Sequence, residues 1–104
     1  MAADPDADLL EEAAATVAAI DRRYRRASFE EKIALKDQRD AAFTAYALAR
    51  NKLLEEGVIV SDADVEEMRS IAAEVKKAAD TASLIRAIGK VVLALSRVAL
   101  PLPS

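Results

Sequence analysis

The side chains that could do chemistry in this chain are charged rather than nucleophilic. Cysteine and histidine are both absent. That excludes thiol chemistry, disulfide staples, zinc or haem ligation through those side chains, and the usual proton carrier near neutral pH. Carboxylates do come in adjacent pairs, at Glu11-Glu12, Glu30-Glu31, Glu55-Glu56 and Glu66-Glu67. Neighbours on a helix point about 100° apart, and the two-metal carboxylate sites of helical bundles use Glu-x-x-His pairs that a chain without histidine does not supply. No glycine-rich phosphate loop and no nucleophile with a base accompanies them. The expectation is a non-catalytic protein with no metal site and no cofactor.

The cations fall into two groups. Arg22, Arg23, Arg25 and Arg26 flank Tyr24, a pattern that could make a phosphate-binding collar. On a helix these side chains fan out on both sides of Tyr24, and the chain carries a net charge of −3, so nucleic-acid binding is the weaker reading of them. Arg86, Lys90 and Arg97 lie within about 40° of one another on a helical wheel, opposite an apolar arc of about 140°. Leu84, Ile85, Ile88, Val91, Val92, Leu95 and Val98 form that arc. A narrow cationic strip beside a broad aliphatic face suits a helix lying on a membrane or granule surface, with basic tips on lipid phosphates. The simpler alternative is a solvated strip whose opposite face packs on other helices or on a second copy. All seven cations stand as candidate contacts for an anionic ligand.

These groups must be positioned by helices. Of the 104 residues, 55 are apolar, 24 of them alanine, with 2 glycines, 3 prolines and four aromatics. Such a chain is too apolar for disorder and too poor in turn-formers for a β-sandwich or barrel, so the fold class is all-α, in one domain over 1–104. The firmest boundary lies at 57–61. Gly57 can end a helix in the left-handed conformation, Ser61 and Asp64 have capping-box spacing, and Val60 with Val65 has the spacing of a hydrophobic staple. Pro101 and Pro103 end the second helical region and leave a tail over 101–104. Residues 1–5 are taken as a disordered start.

From 6 to 56 two signals compete. Ser28-Phe29-Glu30-Glu31 has capping-box spacing and could begin a new helix. However, Leu10, Ala13, Val17, Ile20, Tyr24 and Ala27 make one stripe that Leu35, Ala42, Ala45, Tyr46, Ala49 and Leu53 continue in phase. Phase favours a single long helix. Its second half carries alanines at helical spacing, Ala34, Ala41, Ala45 and Ala49, and a face of larger residues with Phe29, Ile33, Phe43, Ala47 and Leu54. In the region 62–100, the stripe of Val65, Met68, Ile71, Ala72, Val75, Ala79 and Ala82 gives way from Leu84 onward to an arc about 180° away. The helix there must break or change faces near 80–83, with Asp80, Thr81 or Ser83 available as a cap.

The favoured architecture is therefore an antiparallel hairpin of two long helices, 6–56 and 62–100, the second kinked or re-faced near 80–83. The alternative is a compact four-helix bundle with helices near 6–26, 29–56, 62–80 and 84–100. A hairpin leaves apolar faces uncovered, which predicts a homo-oligomer or coiled-coil adaptor acting through helix–helix contacts. Its interface residues are Phe29, Ile33, Phe43 and Leu54, together with the arc from Leu84 to Val98. Asp4, Asp6 and Asp8 stand where a signal peptide would carry bases, and Val91–Leu100 falls far short of the roughly 20 residues that span a bilayer, so the expected compartment is the cytoplasm.

Overall fold

The computed structural model describes residues 4–56 and 60–99. They form four helices: α1 (Pro5–Arg26), α2 (Phe29–Glu56), α3 (Asp62–Lys77) and α4 (Thr81–Ala99). The all-α reading holds in the four-helix form. The continuous helix over 6–56 does not, because the chain turns at Ala27 and Ser28 and α1 packs beside α2. Ala27 is extended at ψ 156° and its amide bonds back to Tyr24. Ser28 and Glu31 then cap α2 reciprocally: the Glu31 amide donates to Ser28 Oγ at 3.2 Å, and the Ser28 amide donates to Glu31 Oε1 at 3.0 Å. Local capping chemistry outweighs phase here: a matching stripe does not require a continuous chain, whereas the Ser28–Glu31 box satisfies the free amides of a new helix start.

The other boundaries follow from the same chemistry. Asp4 caps α1 by accepting the Asp6 amide at 3.1 Å, and Pro5 is the first helical residue. Asp4-Pro5 is thus a helix start, which corrects the disordered reading of 1–5 at these two positions. Ser61 and Asp64 form the expected capping box on α3. Val60 and Val65, the staple pair, are both buried. Helix α3 ends at Lys77 with Ala78 as its C-cap, so Ala79 and Ala82 of the expected stripe fall beyond it and are exposed. Asp80 opens α4 by accepting the Ser83 amide at 2.7 Å, so the change of apolar face near 80–83 is a true break. The expectations for Gly57 and for the tail over 101–104 lie outside the described residues.

Long-range bonds set the arrangement. Asp21 of α1 meets Arg39 of α2, Glu12 and Arg23 of α1 reach Arg69 and the end of α3, and Glu74 and Glu67 of α3 pair with Lys90 and Arg97 of α4. Glu31 near the start of α2 meets Thr81 at the start of α4. Thus α1–α2 and α3–α4 are two antiparallel hairpins lying side by side, with α1 beside α3 and α2 beside α4. The α2–α4 contact is the most extensive, and α2 and α3 sit on a diagonal.

The core runs the length of the bundle. It is built from Leu9, Ala13, Val17 and Ile20; Leu35, Ala42, Ala45, Ala49 and Leu53; Val65, Met68, Ile71 and Val75; and Leu84, Ala87, Ile88, Val91 and Leu95. Three alanines among the five inward residues of α2 let its neighbours approach closely. The inward residues of α2 are those of the expected stripe, Leu35, Ala42, Ala45, Ala49 and Leu53, with Tyr46 partly buried; of the alanines read as a close-packing set, Ala45 and Ala49 are buried and Ala34 and Ala41 are exposed.

Candidate functional site

With its alanines turned inward, α2 presents its large apolar residues to solvent. Phe29 is 78% exposed, Ile33 64%, Leu54 62%, Leu48 48% and Phe43 37%. The face expected at Phe29, Ile33, Phe43 and Leu54 is therefore present and uncovered within the chain. Few monomeric proteins leave such a row open along one helix.

Two charges interrupt the row. Lys36 Nζ and Asp40 Oδ2 are 2.8 Å apart, and Asp40 also meets Arg39 at 3.0 Å. The Lys36 ammonium, and next the Arg39 guanidinium, hold the Asp40 carboxyl below its ordinary range, and Asp40 in turn raises Lys36. Both groups are charged across the neutral range. The row thus reads apolar, ionic, apolar along α2.

Arg39 sets the edge of this face. Its guanidinium lies 5.0 Å from the centre of the Phe43 ring and 5.1 Å from that of Tyr24, and it donates to Asp21 through Nε at 3.0 Å and Nη2 at 2.8 Å. A planar cation that stacks on rings and bonds a carboxylate along its fork locks α1 to α2. Asp21 is held below the ordinary carboxylate range chiefly by these hydrogen bonds. Nothing at the sequence level marked Arg39. The signal was available only as an aromatic–Arg–acid trio on two different helices.

The other candidate residues are placed differently. Leu84, Ile88, Val91 and Leu95 are buried inside the chain, and Ile85, Val92 and Val98 are partly buried against the same core. The apolar arc of the C-terminal helix is thus spent on folding within the chain, which corrects its reading as an interface. Its cations are engaged as well: Lys90 pairs with Glu74 at 3.0 Å, Arg97 pairs with Glu67, and Arg86 donates to Ser83. In the first cationic group, Arg23 donates to the Val75 carbonyl at 3.1 Å and to the Ala78 carbonyl at 2.7 Å. It thereby satisfies the open C-terminal end of α3, where a cation also complements the helix dipole. Arg25 pairs with Asp21 at 2.9 Å. Arg22 and Arg26 are exposed. The structure does not bring the seven cations together into one site.

Among the described residues there is no group of three or more acidic side chains placed to hold a metal, and no helix long and apolar enough to cross a membrane. A hollow at one end of the bundle is lined by Leu9, Lys52, Glu56, Val60, Asp64, Met68 and Arg97, among others. No protein-family model, no curated protein and no solved structure matches this chain. The outer face of α2 is the feature that the fold itself leaves unexplained.

Proposed function

We propose that this protein is a non-catalytic assembly or adaptor module that works through helix–helix contacts and self-associates, with the outer face of α2 as its contact surface. One observation carries the reading. On α2 three of the five inward residues are alanines while Phe29, Ile33, Phe43, Leu48 and Leu54 face out, so Phe29, Ile33 and Leu54 add nothing to the core and expose apolar surface to water. Burying such side chains contributes roughly 1.5–3 kcal/mol each, and a second copy supplies the same face in return. A C2 contact of this kind is self-complementary and closes on itself.

Two other uses find less support. Binding a membrane or granule surface through 84–100 would require α4 to leave the core that holds Leu84, Ile88, Val91 and Leu95. Binding nucleic acid through 22–26 would draw on a group in which Arg23 already caps α3 and Arg25 already pairs with Asp21. A chain without cysteine suits a reducing compartment, and the proposed setting is the cytoplasm.

Size-exclusion chromatography with light scattering over a micromolar concentration series tests the proposal. A mass of two or more chains, shifting with concentration, is the expected result. A single-chain mass throughout the series overturns it.

A further inference from the structure

The outward residues of α2 carry more information than their apolarity. Phe29, Ile33, Lys36, Asp40, Phe43, Ala47, Arg50 and Leu54 follow one another in alternating steps of four and three residues, the spacing of a seam between two helices. All are exposed except Asp40, which is intermediate. Resting on the self-association reading, we propose that two copies pair antiparallel along α2, with the two-fold axis level with residue 38, so that Lys36 of each copy meets Asp40 of the other.

In this register every layer from Phe29 to Ala47 is matched, and Arg50 and Leu54 extend past the paired length. Ile33 faces Phe43 and Phe29 faces Ala47, each occurring twice by symmetry. Between them, two Lys36–Asp40 contacts close a ring of four alternating charges. The paired length, residues 29–47, is about 28 Å at 1.5 Å per residue. The neighbouring registers are mismatched. A slide of one heptad either way sets Asp40 against Phe43 or against Phe29, which takes a carboxylate out of water with no cation opposite it. A slide of two heptads, with Asp40 opposite Arg50, leaves Phe29 and Ile33 bare. A parallel in-register pair sets Lys36 on Lys36 and Asp40 on Asp40, like charges at the centre of the contact, where water screens them least. Charge thus selects the orientation and the register, and the apolar layers on either side supply the affinity.

The test uses the whole chain and three variants in sedimentation equilibrium, with helicity checked by circular dichroism. Lys36 is 63% exposed at its side chain and Asp40 43%, so both sites tolerate replacement without touching the core. Lys36→Glu places Glu against Asp40 of the other copy, and Asp40→Lys places Lys against Lys36. Each is expected to weaken the dimer about tenfold or more, the scale of a close interfacial charge pair. The double variant Lys36→Glu/Asp40→Lys restores opposite charges in the antiparallel register and is expected to return to within about threefold of the native chain. A native dimer whose affinity neither single variant changes overturns the register and orientation while leaving self-association standing. A native chain that stays monomeric overturns both.

Discussion

Gly89 occupies the middle of α4 at an exposed position, and a Cβ built there meets nothing within 4 Å. Glycine in a helix interior costs about 0.5–1 kcal/mol relative to alanine, so Gly89→Ala is expected to raise the melting temperature by several degrees in calorimetry. At the same scale, four carboxylates tie stability to pH. Asp21 is lowered by its hydrogen bonds to Arg39, Glu31 by the Ser28 amide and hydroxyl, Asp40 by Lys36, and Asp80 by the Ser83 amide. A carboxyl depressed in the folded state stabilises the fold at pH values above its unfolded pKa and loses that contribution as pH falls through its folded pKa. The melting temperature is expected to hold from pH 7 to about 5 and to fall below about pH 4, with a shallower fall in Glu31→Gln. An acid limb that Glu31→Gln leaves unchanged would remove Glu31 from this account.

Among the helices, what was legible in the sequence was local and what was not was distant. Ser61 with Asp64, Asp80 before Leu84, and Ser28 with Glu31 each carry their own start signal within four residues, and all three begin helices. Phase across 27–28 misled because a helix that starts anew after a turn is free to take any phase, including that of the helix before it, so matching stripes do not show a continuous chain. The apolar arc from Leu84 reads as an interface in the sequence for a related reason: a helix that starts anew after 78–80 has no obligation to keep the phase of α3, and its displaced stripe still faces the one core. Arg23 could not be singled out among its neighbours, because its carbonyl partners lie 52 and 55 positions away. The inward stripe of α2, Leu35 to Leu53, was legible; the second set of alanines missed at Ala34 and Ala41, which face outward. Ala42 has no exposed surface whereas Ala41 is exposed, so Ala42→Leu is expected to cost about 1–3 kcal/mol by overpacking the close contacts of α2. Ala41→Leu should stay within about 0.5 kcal/mol. Equal losses in urea unfolding of the two variants would mean that α2 is rotated from the orientation described.

At the scale of the whole molecule, the bundle closes its interior and leaves one helix face unsatisfied. The interior is complete enough that no described buried side-chain nitrogen or oxygen lacks a hydrogen-bond partner. The face that remains, Phe29 to Leu54, was visible in the sequence as residues too large for the alanine seam; the fold adds that none of the four helices covers it. The most direct measurement of the central claim is sedimentation equilibrium of the native chain beside Phe29→Ser/Ile33→Ser. These replacements alter side chains that are 78% and 64% exposed and so should leave the melting temperature of the single chain nearly unchanged. The account predicts a native chain that associates at micromolar concentration and a variant that is folded and monomeric. A native chain and variant with the same mass at every concentration would contradict it.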